Sequence, residues 1–220
     1  SFTLPQSSVI IANWAAKNKI KKVVTIVSDY APGADAEKWF IDTFKAAGGS
    51  IAETIKVPLA NPDFAPFLQR AADAKPDAIF VFVPSGQGGT FMKQYAERGL
   101  DKAGIKLIGP GDVTDDDLLP GMGDAVIGAI TAHIYSADHD SAVNKAFVAA
   151  FEKANGGMRP NFMAVSGYDG MHLIYETLKK TGGKTDGDSL INAAKGMAWE
   201  SPRGPISIDP ETRDIVQNVY

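Results

Sequence analysis

The chain has 220 residues, of which 45% are hydrophobic and 22% charged, as is typical of a globular protein with an ample core. The formal net charge is −4 and no Lys/Arg cluster stands out, so the electrostatic features of a nucleic-acid partner or an anionic membrane surface are missing. The absence of cysteine excludes disulfide bonds and thiolate zinc sites, and is compatible with an oxidising compartment.

The sequence was searched for a membrane-spanning helix and for a signal peptide. No apolar run reaches the roughly 18 residues that a spanning helix needs. No signal peptide opens the chain. We therefore expect either a mature protein whose signal peptide has been cleaved or a piece of a longer protein.

The first half of the chain alternates helix and strand signals. The run at 22–28 is β-branched and nearly all apolar, as is the run at 78–83, whereas 51–57 alternates with Ile51, Ile55 and Val57 on one side. In chain order we predict helix 6–18, strand 22–28, helix 34–48, strand 51–57, helix 64–74 with Asp63 as N-cap, strand 78–83, helix 89–98, and weaker strands 105–109 and 126–130.

This order of elements predicts an α/β fold with a doubly wound, mostly parallel sheet. If the alternating strand 51–57 lies at an edge, the strand order is 2-1-3-4-5. The second half differs, with helices at 140–154, 162–180 and 187–196 followed by short strands at 205–208 and 214–220. Three successive helices suggest packing against something other than the first sheet.

Ligands of such sheets bind beyond the carboxyl ends of the strands, where the strand order reverses. That rule selects the loops at 29–33, 84–89 and 109–114. Two of them lead into helix N-termini, whose free N–H groups favour an anion such as a carboxylate. Tyr30 offers an aromatic wall with a polar tip, and Ser85 a hydroxyl donor.

Structural explanations of the same residues remain open. The glycines at 86, 88 and 89 are also typical of a tight turn. Tyr30 is equally compatible with a residue that covers the end of the sheet. Asp112 is equally compatible with an Asx turn.

Nucleotide binding and catalysis find little support in the motifs. The segment 86–89 does not match a dinucleotide or phosphate loop, and Ser85 lacks both glycines of a nucleophile elbow. The spacing of the three histidines fits no metal motif: His133, His139 and His172. The sequence therefore predicts no catalytic residue, no metal and no cofactor, and a protein that is not an enzyme.

Several segments together resemble periplasmic solute-binding proteins of the leucine/isoleucine/valine-binding family, which have the type I periplasmic-binding fold. Their order and spacing are more specific than any one of them, and the likeness covers essentially the whole chain. The segments are 28–33 with the aromatic helix that follows, 76–81, 107–110, 167–170 with its helix, and 204–209.

The resemblance implies a two-lobed receptor, made with a signal peptide and located in the periplasm. It would close on a small ligand in a cleft between the lobes and deliver it to the membrane permease of an ABC importer. The positions that match ligand contacts of the family are Tyr30, Pro84, Ser85, Gly86, Gly111, Asp112 and, from the returning segment, Tyr168.

One departure from the family concerns the ligand. Amino-acid-binding members place a glutamate directly after the Gly-Pro dipeptide, where it holds the α-ammonium group. Here that position is Gly111, and the acid follows one residue later as Asp112. The resemblance therefore allows an amino acid, but also an aromatic or aliphatic carboxylate that lacks an amine.

The resemblance also implies a domain division. The chain begins where the second lobe of the family begins, so it looks truncated at the N-terminus. We expect residues 1–132 to form that lobe, 133–199 to be a helical segment of the first lobe, and 200–220 to return to the second.

Two other classes of protein remain as alternatives. A ligand-sensing effector domain of a regulator shares the fold, but it would need a DNA-binding helix-turn-helix and a basic patch that these residues lack. A small α/β hydrolase or dehydrogenase would reveal itself by turnover of a candidate substrate.

Overall fold

The computed structural model describes residues 2–220 and divides them into two compact units. The sheet unit comprises Thr3–His133, and the helical unit comprises Ile134–Tyr220 together with Phe2. Each unit is described by itself. Within the described residues, no helix is both long and apolar enough to cross a membrane.

The sheet unit has the predicted alternation of helices and strands. All its strand pairs are parallel, and the order is β2-β1-β3-β4-β5, as predicted. Its elements are α1 (Leu4–Lys17), β1 (Lys22–Ser28), α2 (Ala31–Ala46), β2 (Ser50–Val57), α3 (Ala65–Asp73), β3 (Ala78–Phe82), α4 (Gly88–Glu97), β4 (Lys106–Pro110) and β5 (Ile130–Ala132), with 3₁₀ turns at Gly111–Thr114, Leu119–Gly121 and Asp124–Val126.

Both faces of this sheet are covered, which explains its continuous apolar strands. On one face Phe80 of β3 stacks on Phe40 of α2, with 4.1 Å between the ring centroids. On the other face Val24 and Ile26 of β1 belong to a buried cluster that includes Leu68 of α3 and other apolar residues of α3 and α4. The strands are thus fixed by packing on two sides.

The edge position of β2 follows from its half-buried pattern. Ile55 and Val57 are buried, whereas Ala52, Thr54 and Lys56 between and before them are exposed. This alternation confirms the prediction for 51–57.

Two local predictions need correction. Strand β5 begins at Ile130 and not at 126, because Val126 ends a 3₁₀ turn and Gly128 has a φ of +93°, which is outside extended geometry. The N-cap of α3 is Phe64 by position, although Asp63 still caps in part, since its Oδ1 accepts a hydrogen bond of 3.1 Å from the Ala65 N–H.

The helical unit contains the three predicted helices and a separate antiparallel sheet. Its elements are α5 (Ala142–Ala154), α6 (Phe162–Lys180), α7 (Gly187–Ala194), β6 (Ala198–Ser201), β7 (Gly204–Ile208) and β8 (Ile215–Gln217), with strand order β6-β7-β8. Strand β6 was not predicted, because its four residues carry no apolar run and precede a turn at Ser201-Pro202.

A buried ion pair joins α6 to this small sheet. Arg203 is 1% exposed, and its Nη2 lies 2.6 Å from Asp169 Oδ2, while its Nε donates to the same oxygen at 2.7 Å. Ser201 and Trp199 also donate hydrogen bonds to the Asp169 carboxylate. Gln217 of β8 accepts from Arg203 Nη1 at 2.9 Å, so β6, β8 and the turn before β7 are tied to one carboxylate.

The compact units differ from the expected division at one point. Residues 200–220 group with the helices of 134–199 in the helical unit, because they pair into β6-β7-β8 and not with the parallel sheet. The assignment of 1–132, 133–199 and 200–220 to lobes of a two-lobed protein remains a prediction.

Arg203→Met is expected to lower the free energy of unfolding by about 3–5 kcal/mol, because it leaves the Asp169 carboxylate buried without its counter-charge. The control is Lys145→Ala, which breaks the exposed Lys145–Asp140 pair of the same unit and should cost no more than about 1 kcal/mol. Urea denaturation of both variants provides the measurement. Equal small losses would show that the buried pair contributes little.

Candidate functional site

Four parallel strands end side by side at one edge of the sheet unit, here called the carboxyl edge. It consists of the C-terminal ends of β1, β3, β4 and β5 and the residues that follow them. Strands β1 and β3 are neighbours in register from Val23↔Ala78 to Val27↔Phe82, so the strand order reverses between them as predicted. Of the predicted site residues, all except Tyr168 lie along this edge: Tyr30, Pro84, Ser85, Gly86, Gly111 and Asp112.

Tyr30 is held between the end of β1 and the start of α2. Its ring stacks on Phe82, the last residue of β3, with 6.3 Å between centroids and 13° between planes. Burial, and secondly the charge of Asp112, raise the pKa of the Tyr30 hydroxyl. The ring does cover the end of the sheet, and the phenol lies within electrostatic range of Asp112.

The start of α2 lies directly against the end of β1. A Cβ at Gly33 would lie 2.0 Å from the Ser28 carbonyl oxygen, so only glycine allows this approach. Pro32 occupies the first turn of α2, as expected for its fixed φ. The neighbouring Ser28 Oγ is buried and has no hydrogen-bond partner among residues 2–220.

The loop after β3 is a tight turn whose serine is already engaged. The Gln87 N–H donates to the Pro84 carbonyl at 3.0 Å, and Gly86 has a φ of +94°. Ser85 Oγ donates a hydrogen bond to Asp115 Oδ2. Gly86 therefore does form part of a tight turn, and the Ser85 hydroxyl proton is directed to Asp115. A ligand contact by Ser85 or Gly86 remains a prediction.

Gly88 allows α4 to begin in contact with the segment after β4. A Cβ on Gly88 would lie 2.1 Å from the Val113 carbonyl oxygen, whereas a Cβ on Gly89 would meet no heavy atom within 4 Å. The two adjacent glycines therefore have different roles. Gly88 sets the position of α4 against the Gly111–Thr114 turn, and Gly89 is structurally replaceable.

The segment after β4 brings together an acid and an imidazole. A Cβ on Gly111 would lie 2.4–2.6 Å from the ring and Cβ atoms of His133, which directly follows β5. Asp112 is 6% exposed, and its Oδ2 has no hydrogen-bond partner within residues 2–220. Any side chain at 111 would displace the imidazole that now packs on the backbone beside Asp112.

Burial controls the ionisation of the two acids here. Desolvation raises the pKa of Asp112 from 3.8 to about 7; a hydrogen bond from its own backbone N–H partly offsets this rise, and the Asp115 charge adds to it. Desolvation also raises the pKa of Asp115 to about 6, against the opposing hydrogen bond from Ser85. At neutral pH Asp112 is therefore close to half protonated, whereas Asp115 is mostly ionised.

Three residues of the carboxyl edge were not singled out from the sequence as site residues: Ser28, Asp115 and His133. Ser28 ends a strong strand, and His133 directly follows a weak one, so position alone could have suggested both. Asp115 gave no signal, since its contact with Ser85 depends on how the turn after β4 folds.

Tyr168 lies in α6 of the helical unit. Its side chain is 46% exposed and its ring centroid lies 5.0 Å from that of Phe147. Met171 and Tyr175 of the same helix are also exposed. A ligand contact by Tyr168 remains a prediction.

We also searched the structure for side chains that could bind a metal ion. Within residues 2–220, no group of three or more His, Asp or Glu side chains could hold a metal ion.

An open, doubly wound sheet whose polar groups gather beyond the strand ends is typical of α/β proteins that bind a small molecule at that edge. Comparison with known proteins identifies the family within this broad class of α/β proteins. The sequence matches the periplasmic binding protein family over residues 2–220, and the chain belongs to that family.

Three relatives illustrate the similarity. "Leu/Ile/Val-binding protein homolog 6" of Brucella melitensis is 46% identical over 222 residues, a match that covers 100% of this chain and 57% of the relative. An ABC transporter solute-binding protein of Rhodopseudomonas palustris BisB5, solved with 3,4-dihydroxybenzoic acid, is 74% identical with a TM-score of 0.97. One from Rhodopseudomonas palustris HaA2, solved with p-hydroxybenzoic acid, is 45% identical with a TM-score of 0.94.

These structures cover all of this chain, but the chain covers only 60% of each of them. The chain thus spans somewhat more than half the length of the relatives that it matches.

Gly88→Ala is expected to lower the free energy of unfolding by about 2 kcal/mol, because the added Cβ must push α4 away from the Val113 carbonyl. The adjacent Gly89→Ala should change stability by less than about 1 kcal/mol and in the stabilising direction, since alanine restricts the unfolded chain and meets no neighbour. Denaturant titration of both variants tests the pair. Equal losses would contradict the different roles of the two glycines.

The raised pKa of Asp112 predicts a stability that falls as the pH rises. The folded chain keeps this proton up to a pKa of about 7, whereas the unfolded chain loses it near 3.8. We therefore expect the free energy of unfolding to decrease by about 2 kcal/mol between about pH 5 and about pH 7.5. Asp115, with a pKa of about 6, acts in the same direction.

Other carboxyl groups with shifted pKa values act below this range. Four have lowered pKa values, so the stability they contribute is lost only below their ordinary values of 3.8–4.5: Asp140, Glu176, Asp186 and Asp209. Asp112→Asn should flatten the slope between about pH 5 and about pH 7.5, and the exposed Asp140→Asn should leave it unchanged because the pKa of Asp140 is lowered. An unaltered slope in Asp112→Asn, measured by urea denaturation at several pH values, would show that Asp112 is not its source.

Proposed function

We propose that this chain is part of the extracytoplasmic solute-binding component of an ABC importer, which binds a small aromatic carboxylic acid. The observation that carries the proposal is the 74% identity, over the whole chain, to a solute-binding protein solved with 3,4-dihydroxybenzoic acid. The partner is the membrane permease of that importer, and the compartment is the periplasm. The protein binds and releases its ligand without catalysis.

The carboxyl edge supports a flat, aromatic ligand. The ring of Tyr30 is oriented by its stacking on Phe82 and remains half-buried, so one side of it is available to a second ring. The loops after β1 and β3 lead into α2 and α4, whose first N–H groups have no intrahelical acceptor and favour an anionic group nearby. The proposed contacts here are Tyr30, Pro84, Ser85, Gly86, Gly111 and Asp112, and Tyr168 is proposed from α6.

The same edge gives a reason to prefer an acid that lacks an amine. An α-ammonium group needs an ionised acceptor, but burial raises the pKa of Asp112 to about 7 and so opposes its ionisation. A glutamate at position 111 would provide that acceptor, yet even a Cβ there would collide with the His133 ring. The competing hypothesis is binding of leucine, isoleucine or valine, and the following experiment distinguishes it from binding of an aromatic acid.

Thermal shift and calorimetry of the protein expressed at its natural length should detect binding of benzoate, 4-hydroxybenzoate or 3,4-dihydroxybenzoate. Binding stabilises the folded state by mass action, so the midpoint of unfolding should rise with ligand concentration. Leucine, glucose and cyclohexylamine serve as controls for the amino-acid, sugar and amine classes. A response to the controls alone would overturn the proposed ligand class.

Within that assay, Tyr30→Ala should weaken binding about tenfold or more through loss of the ring contact, and Ser85→Ala by a smaller factor. The matched control is Ser50→Ala, since Ser50 starts β2 at the opposite edge of the sheet. Circular dichroism should show an unchanged sheet in all three. If Ser50→Ala weakens binding as much as Ser85→Ala, the carboxyl edge is not the site.

A further inference from the structure

Asp112 is a buried acid whose hydrogen bonding is incomplete. The residue is 6% exposed, and Oδ2 has no hydrogen-bond partner among residues 2–220. A buried polar atom without a partner costs about 1–3 kcal/mol, so such atoms are rare unless another molecule provides the bond. Its place at the first turn after β4 sets it on the carboxyl edge, where α/β proteins bind their ligands.

The groups that influence Asp112 include no cation that would fix it as a carboxylate. Its protonation responds to desolvation, to its own backbone N–H and to the Asp115 charge, and it acts in turn on the phenol of Tyr30. The ring of His133 packs on the adjacent Gly111 backbone. Asp112 is therefore an acid that can exist in either protonation state near neutral pH.

This property discriminates between the polar groups that a small ligand can present. A carboxylate would repel the ionised form of Asp112, and an ammonium group would gain little from the protonated form. A hydroxyl group suits both forms, because it can accept a hydrogen bond from the protonated carboxyl and donate one to the carboxylate. A hydroxyl is the group best matched to a buried, half-titrated acid.

We propose that Asp112 is a specificity-determining residue that hydrogen-bonds a ring hydroxyl of the ligand, and that the ligand's carboxylate is held away from it. This inference rests on the proposed function, in which the ligand is an aromatic acid. The inference gives the ligand an orientation in which its hydroxyl group lies at the turn after β4. It also explains why the acid at this edge stands without a counter-charge.

Calorimetric titration of benzoate, 4-hydroxybenzoate and 4-methylbenzoate tests the assignment on the protein at its natural length. The wild type should bind 4-hydroxybenzoate at least about tenfold more tightly than 4-methylbenzoate, since only the hydroxyl completes the bond to Asp112. Asp112→Ala should reduce that ratio to near one while changing benzoate affinity by less than about threefold. Benzoate thus reports on the fold of the site within the same variant.

Two further variants make the result specific. Asp112→Asn keeps both a donor and an acceptor in the same place, so it should retain most of the preference for the hydroxyl. Asp124→Ala removes an exposed acid from the same segment between β4 and β5, and should leave all three affinities unchanged. If Asp112→Ala fails to fold, Asp112→Leu takes its place, because leucine has a similar shape but no hydrogen-bonding group and should likewise reduce the ratio to near one.

The outcomes separate this inference from the function on which it rests. Equal weakening of all three ligands by Asp112→Ala, or an unchanged preference for the hydroxyl, would overturn the role of Asp112 and leave the aromatic-acid receptor standing. A wild-type protein that binds none of the three acids would overturn both.

Discussion

The carboxyl edge depends on backbone approaches that only glycine permits. Gly33 lies against the Ser28 carbonyl, Gly88 against Val113, and Gly109 against Val81, where a Cβ would come within 2.0–2.2 Å of a carbonyl oxygen in each case. Gly111 lies against the ring of His133 in the same way. Gly33 and Gly88 lie in the first turns of α2 and α4, whereas Gly109 lies in β4 and Gly111 directly follows it. The starts of these helices therefore contact the ends of strands or the turn after β4, and their relative positions are closely fixed.

Close approach of this kind fixes the side chains that the edge presents. Tyr30 immediately precedes α2, and its ring is further held by Phe82. Ser85 is oriented by Asp115, and Asp112 is confined at the first turn after β4. The proposed site, built on such short connections, would be preorganised and would lose less conformational entropy on ligand binding.

The sheet could be predicted because its signals are local and strong. Continuous apolar, β-branched runs such as 22–28 and 78–83 favour strands buried on both faces. The alternation in β2 indicates an edge strand, and the order 2-1-3-4-5 was predicted from that position. Topology then places Tyr30, Ser85 and Asp112 along one edge without knowledge of any side-chain contact. The start of β5 was misplaced because Val126, Ile127 and Ala129, which precede the strand, are apolar residues that resemble one.

The details of the edge could not be predicted, because they depend on tertiary contacts. The bond from Ser85 to Asp115 joins residues 30 positions apart, and the packing of His133 on Gly111 requires β4 and β5 to be paired first. The pKa of Asp112 depends on burial, which a sequence does not show for a charged residue in a turn. The proposed aromatic ligand rests on the ligands of solved relatives, because neither the sheet nor these contacts define a ring.

The carboxylate of Asp169 has a consequence for the order in which the helical unit assembles. Strands β6, β7 and β8 are joined by short turns, so their pairing closes only small loops. The bond from Arg203 to Asp169 spans 34 residues, and closing a flexible segment of that length costs about 3 kcal/mol of chain entropy. The hairpins can therefore form early in folding. The contact between α6 and these strands forms later, when Arg203 is buried and pairs with the Asp169 carboxylate.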